Sequence, residues 1–289
     1  MSFKAVKLKD NIPIIFVIAF PAVLGIFMLF GRPQIHPQLA YQKPYIHGIT
    51  DFSLFGYSPL GEDMLGLMAW GYWQTVLVAV FGRGLALLLS FLGLFIAWTF
   101  VLPRLSIFKF QFKSHFGFFW MSRFSEAFMT IPSLLLALSL GYLIGEGFYT
   151  MIIVIGVSEW AFNQKWLLGR LNEYKRFPFI EASKAMGGGK LHIYGRHFLS
   201  FILSDLFFLF FLYLPGSLLT VTALEFLGLS SGSEIAGLGS IIALNKDLIF
   251  FYPHVILPPS ALIIITVFIS LVLKNKFMTK FTDLNKVRA

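Results

Sequence analysis

Long apolar runs alternate with short polar ones along most of this chain. Residues from about Ile12 to Phe30, Tyr72 to Leu102, Gly117 to Gly145, Tyr149 to Leu168, Phe198 to Leu224 and Pro253 to Leu273 are dominated by Leu, Ile, Phe, Val and Ala. A run of about 20 such residues is long enough to cross a hydrocarbon layer about 30 Å thick as a helix. Inside that layer backbone amides find no partner outside protein, so each run must satisfy its own hydrogen bonds, and runs this long do so as helices rather than as barrel strands. The pattern predicts an all-α membrane protein with six transmembrane helices.

Composition strengthens this and charge orients it. Of 289 residues, 57% are hydrophobic and 13% charged, and the mean hydropathy is +0.78, outside the range of a water-soluble domain of this length. The net charge of +9 must then sit in loops. Lys4, Lys7 and Lys9 precede the first run, and Arg104, Lys109 and Lys113 follow the second. Lys165, Arg170, Lys175, Arg176, Lys184, Lys190 and Arg196 lie around the connection between runs four and five, and Lys274, Lys276, Lys280, Lys286 and Arg288 fill the tail. The alternate loops hold only Arg32, Lys43 and Lys246. Positive loops stay in the cytoplasm, so both termini are expected there. The charge is not interleaved with aromatics as in a nucleic-acid groove, and with no cysteine there is no disulfide or thiol chemistry. Met1 to Asp10 leads into the first run without a small-residue cleavage signal and is expected to be retained.

The expected organisation is an N-terminal tail and first helix (1–31), an extracytoplasmic loop (32–71), a five-helix core (72–273) and a cytoplasmic tail (274–289). Within the core, one cytoplasmic segment at about 170–198 stands out. Pro178 suits the first turn of a helix, Glu181 suits the positive end of its dipole, and Phe179, Ala182, Ala185 and Met186 gather on one side. Gly187, Gly188 and Gly189 end it, because glycine adopts left-handed backbone conformations that other residues resist. A hairpin results. Two uses fit such an element: docking an amphipathic helix into a groove of a partner, or resting basic charge on anionic lipid. It does not carry the phosphate loop GxxxxGK[ST], since Leu191 follows Lys190.

Glu181-Ala182-Ser183, then Gly187, then Arg196-His197-Phe198-Leu199 resembles the EAA motif of ABC importer permeases. Ile131-Pro132-Ser133-Leu134 through Leu138 resembles the third-span signature of the dipeptide, oligopeptide and nickel permease family. Leu60-Gly61-Glu62-Asp63 is similar to its outer LGTDD stretch, and Phe226-Leu227-Gly228-Leu229 to the FLGLG after its fifth span. The order of motifs from about Tyr57 to Leu273 is the family order, and the C-type subunit is the closest resemblance. The sequence departs from the pattern at Ser183, at Ser200, at Gly66-Leu67-Met68 and at Leu238-Gly239.

The resemblance implies a type I ABC importer permease in a bacterial inner membrane. It implies a non-catalytic subunit with a homologous second permease, two ABC ATPase subunits and an extracytoplasmic substrate-binding protein as partners. ATP and magnesium would be held by the ATPases and no cofactor or metal by this chain. Phe179, Glu181, Ala182, Ser183, Ala185, Met186, Gly187, Arg196 and His197 would form the ATPase-coupling hairpin. The cargo would be a peptide or similar small solute, with a nickel or metal chelate as the alternative within the family and a secondary transporter or channel outside it.

Ionisable side chains inside spans are costly and mark function or pairing. Arg83, between Gly82 and Gly84, is read either as lining a translocation path or as pairing with Glu225 or outer headgroups. Arg123 and Glu126 are three residues apart and expected to pair. Glu159 and Asp205 are expected to meet the partner subunit or the hairpin. Pro215-Gly216 should kink the fifth span, beyond which Ser217 and Thr220 share a face that either lines the path or bonds back to the helix, as does Thr222. An intramembrane hydrolase built on Ser217 and His254 lacks GxSxG and HExxH. His36, His47 and Asp51 are spaced too loosely for a confident metal set and read as solvated.

Overall fold

The computed structural model describes residues 20–26, 35–43, 45–46, 52–99, 116–174, 177–187, 199–229 and 236–288. Most of the first expected span lies outside these residues, although 20–26 is helical. The described helices are α1 (Met64–Thr99), α2 (Phe116–Met129), α3 (Ser133–Ile144), α4 (Phe148–Tyr174), α5 (Pro178–Ala185), α6 (Leu199–Phe226), α7 (Leu238–Asn245) and α8 (Pro253–Arg288). Among the described residues the strands are a two-residue antiparallel ribbon, β1 (Tyr45–Ile46) and β2 (Phe52–Ser53), within the outer loop.

Three helices, within Met64–Ala97, Phe201–Phe226 and Pro253–Met278, are long and apolar enough to cross a membrane. The pair Gly117–Met129 and Ser133–Ile144, bent by 87°, adds a fourth if the two make one span. The run expected as one helix from Gly117 to Gly145 is therefore broken. Pro132 has no amide hydrogen to donate and holds an extended backbone at φ −55°, ψ 125°, so α2 closes before it and α3 starts after it.

Two other boundaries move. α1 begins at Met64 rather than Tyr72, because the Asp63 carboxylate accepts a hydrogen bond from the Gly66 amide at 2.9 Å and caps the helix. At 36 residues it extends about 54 Å, well beyond a hydrocarbon layer. α8 runs on past Leu273 to Arg288.

α4 carries Glu159, Asn163, Gln164, Lys165 and Arg170, yet much of it is enclosed in the bundle. Met151, Val154, Ile155, Leu167, Leu168 and Leu171 are all buried. Glu159, Asn163 and Gln164 are tolerated because they face protein. Glycines let α1 and α4 approach closely: a Cβ on Gly82 would lie 2.7 Å from Ile155, and one on Gly156 would lie 2.6 Å from Leu85. Contacts between the two helices rise together along both sequences, from Gly82 with Ile155 to Gly93 with Gln164, so they run parallel. α6 runs antiparallel to both, with Thr75 against Glu225 and Tyr174 against Asp205.

The core has layers along this bundle. Tyr72, Met64, Leu238, Ile241 and Val255 pack at the end where α1 begins. Val78, Ala137, Ile155, Leu218 and Leu224 fill the centre, and Leu94, Leu167, Leu171, Ile202 and Leu209 the end where α1 finishes.

Candidate functional site

Three polar clusters tie the helices together at successive levels. The first lies where α1, α4 and α6 meet. Arg83 is 2% exposed, and its guanidinium is 3.2 Å from the Glu159 carboxylate, whose side chain is 12% exposed. It also donates to Asn163 Oδ1 and to the Leu209 carbonyl at 3.3 Å, and its carbon centre lies 4.9 Å from the centroid of the Tyr213 ring. Ser217 donates to the same Glu159 carboxylate. At 1.5 Å per residue, Arg83 sits within about 5 Å of the midpoint of α1, so the pair stands deep in the helix bundle and matches charge against charge.

The second cluster belongs to α1, α6 and α7. Glu225 is 1% exposed and accepts from Thr75 at 3.0 Å and from the Gly239 amide at 3.0 Å. Thr75 accepts in turn from the Leu238 amide at 3.0 Å. These two amides are first-turn groups of α7 with no intrahelical partner, so Glu225 and Thr75 together cap that short helix. Gly239 is required there: a Cβ on it would stand 2.2 Å from the Thr222 carbonyl oxygen.

The third cluster lies where α4 ends and α6 begins. Tyr174 donates to Asp205 at 2.7 Å, and Asp205 is completely buried. Arg170 reaches Asp205 at 3.4 Å, the Tyr174 hydroxyl at 3.0 Å and the Glu173 carboxylate. Nearby, Lys165 and Arg123 both pair with Glu126.

Several sequence expectations change here. Arg83 pairs with Glu159, not Glu225, since Glu225 is turned toward α7. Glu159 and Asp205 find partners within this chain, on α1, α4 and α6. Arg123 and Glu126 pair as expected, at 3.0 Å, with Lys165 as a further partner. Ser217 points into the bundle, 0% exposed. Thr220 bonds back to the Gly216 carbonyl and Thr222 to those of Leu218 and Leu219, so their shared exposure is less than the sequence suggested. Pro215 lies inside α6, which continues through it.

Of the hairpin residues, Phe179, Glu181, Ala182, Ser183 and Ala185 lie on α5. Ser183 is buried, whereas Met186 is 82% exposed at the helix end. Gly187 holds φ +79° with open space where a Cβ would point, a left-handed turn of the kind glycine permits. The side chains of Phe179 and Glu181, and Arg196 and His197 altogether, lie outside the described residues. Gly61, in the outer motif, also holds a positive φ and a Cβ there would stand 1.9 Å from the His36 carbonyl oxygen. His47 and Asp51 lie outside the described residues, and no group of three metal-ligating side chains occurs among those described.

The sequence reading missed Asn163, Thr75, Arg170 and Tyr174. Two signals were available: Asn163 follows Glu159 by four residues and Tyr174 follows Arg170 by four, placing each pair on one helix face. Thr75 carried no such mark.

Residues 91–277 match the family described as "binding-protein-dependent transport system inner membrane component". The chain belongs to that family. As a member of it, the chain is a multi-pass inner-membrane component of a binding-protein-dependent transport system. It is similar to the oligopeptide transport system permease protein OppC of Bacillus subtilis, at 23% identity over 51% of this chain and 48% of that protein. It is similar to a putative peptide permease protein of Brucella ovis, at 30% over 39% of this chain and 38% of that one. The nickel transport system permease protein NikC of Escherichia coli is 26% identical over 50% of this chain and 52% of its own length. The chain thus aligns with about half the length, or less, of these curated relatives. Among solved structures, an inward-facing conformation of the MetNI methionine ABC transporter shares the fold, with a TM-score of 0.56 at 18% identity, over 75% of this chain and 97% of that one.

Proposed function

We propose that this permease is the membrane-spanning subunit of an ATP-driven importer for peptides or similar small solutes. It crosses the membrane six times with both termini in the cytoplasm, and its hairpin of about 170–198 is gripped by an ATPase subunit. The family match over residues 91–277 is the observation that carries the reading. The parallel α1 and α4, with α6 antiparallel to both, support it, because helices two crossings apart must run the same way. The charge distribution of the loops supports the orientation. Met186, exposed beside the Gly187 turn, supports a docking role for the hairpin through Phe179, Glu181, Ala182, Ser183, Ala185, Met186 and Gly187, with Arg196 and His197 on its trailing arm.

The chain's own part is mechanical and non-catalytic. Two ABC ATPases bind and hydrolyse ATP with magnesium, a homologous second permease completes the pathway, and an extracytoplasmic binding protein delivers cargo. Closure of the ATPases pulls the hairpin and reorients the bundle, a difference in contact between two states of the kind coupling requires. Ser217, Thr220 and Arg83 are the candidates for the path wall, with Thr220 the most accessible of the three. The relative named for nickel transport favours a metal chelate as the second cargo class. Replacement of Glu181 and Gly187, followed by measurement of ATPase co-purification and solute uptake, tests the reading. Loss of both is expected, and wild-type values for both would contradict it.

A further inference from the structure

Residues 175–198 join the end of α4 at Tyr174 to the start of α6 at Leu199, so those two helix ends are the stems of the hairpin. Whatever holds those stems together decides whether a pull on the hairpin moves the helices or merely bends the loop. The third polar cluster stands at that place. Tyr174, three residues before Phe177, donates to the buried Asp205 on the opposite stem at 2.7 Å. Arg170 closes the set, reaching both Asp205 and the Tyr174 hydroxyl, and its carbon centre lies 4.9 Å from the Tyr174 ring and 5.4 Å from that of Trp166.

An aromatic layer lies on the hairpin side of these bonds. Phe177 meets the Tyr174 ring edge-on at 5.4 Å, Phe201 lies 5.0 Å from Tyr174, and Phe177 and Phe201 are 6.2 Å apart. Phe177 immediately precedes α5, and Phe201 stands in the first turn of α6. Three rings and a buried, charge-assisted hydrogen-bond set therefore bridge both stems directly above the hairpin.

We infer that Arg170, Tyr174 and Asp205, with Phe177 and Phe201, form a clamp that makes the hairpin and the ends of α4 and α6 move as one body, so that they are positioning residues for coupling. The inference rests on the proposed importer function. Asp205 takes donors from two side chains of the other stem, and its Oδ1 has no partner among the described residues. A buried hydrogen-bonded set of this kind transmits displacement because it has few alternative arrangements.

The test uses the assembled transporter, with the chain co-expressed with its second permease and ATPases and reconstituted in proteoliposomes. Tyr174→Phe removes one hydroxyl while keeping the ring, and Asp205→Asn removes the charge; Asp205→Glu restores it. The readouts are ATPase co-purification, ATP hydrolysis and solute moved per ATP. Expected are normal co-purification and hydrolysis with about a tenfold drop in solute moved per ATP for Tyr174→Phe and Asp205→Asn, partly recovered by Asp205→Glu. Wild-type transport per ATP in both variants would overturn the clamp. So would failure of Tyr174→Phe to assemble, which would make the set a folding element. Failure of the wild-type chain to retain any ATPase would instead sink the importer reading, and that result is visible before any variant is made.

Discussion

Replacing Arg83 with methionine keeps an apolar stem and removes the guanidinium. The variant loses hydrogen bonds to Asn163 and the Leu209 carbonyl and the contact with Tyr213. Interhelical hydrogen bonds in membrane proteins average about 0.6 kcal/mol, so these contribute about 1 kcal/mol. The larger effect falls on Glu159, a carboxylate left in the bundle without its counter-charge. Breaking a buried pair by removing one partner costs about 3–5 kcal/mol. Proton uptake sets a ceiling, because neutralising a carboxylate of ordinary pKa about 4.3 at pH 7 costs about 3.7 kcal/mol at about 1.4 kcal/mol per pH unit. Arg83→Met should therefore destabilise the protein by about 3–4 kcal/mol. Glu159→Gln strands a guanidinium that cannot shed its proton, and should cost about the same. The double variant Arg83→Met with Glu159→Gln removes both charges and should lie within about 2 kcal/mol of the parent, a non-additivity of several kcal/mol. Reversible unfolding in mixed micelles, followed by loss of helix, measures all three. Additive losses, or a single Arg83→Met variant within about 0.5 kcal/mol of the parent, would refute the view that this pair is held by mutual compensation.

Gly82→Ala places a Cβ 2.7 Å from Ile155 and should destabilise by about 1–3 kcal/mol, whereas Gly84→Ala meets nothing within 4 Å and should be neutral or stabilising by up to about 1 kcal/mol; thermal midpoints of the two distinguish them. Glu225→Ala strands the Gly239 amide, at a cost of about 1–3 kcal/mol, and should accelerate hydrogen exchange at Gly239 while leaving α4 amides protected. Gly187→Ala confronts no neighbour but forces a side chain into a left-handed turn, so about 1–2 kcal/mol of strain should appear as increased proteolysis confined to the hairpin. Removal of the ring contacts with Tyr174 and Phe177 by Phe201→Ala should lower the midpoint and raise proteolysis at 175–198 together.

Much of the helix pattern was readable because burial in lipid leaves long apolar runs, and both Pro132 and Pro215 were visible in advance. Yet the two prolines act differently: Pro132 follows a backbone turn that ends one helix, while Pro215 is accommodated inside α6. α4 was legible as an apolar run, but which of its side chains are enclosed was not, since burial depends on which neighbours surround it. The partner of Arg83 was out of reach for a physical reason. It lies 76 positions away on another helix, brought alongside α1 where Gly82 packs on Ile155 and Gly156 on Leu85. The resemblance at 181–199 was carried by residues alone, whereas the contacts of Tyr174 and Arg170 with Asp205 were out of reach, because they join two helices that meet only in three dimensions.

The central claim is that the Gly187 turn lies on the cytoplasmic side within reach of an ATPase. The chain contains no cysteine, so Met186→Cys introduces a single thiol at an exposed position. In intact cells a membrane-impermeant maleimide should leave it unlabelled, and in inside-out vesicles a short bifunctional reagent should join it to an ATPase subunit. Labelling from outside intact cells, with no ATPase adduct in vesicles, would contradict the account.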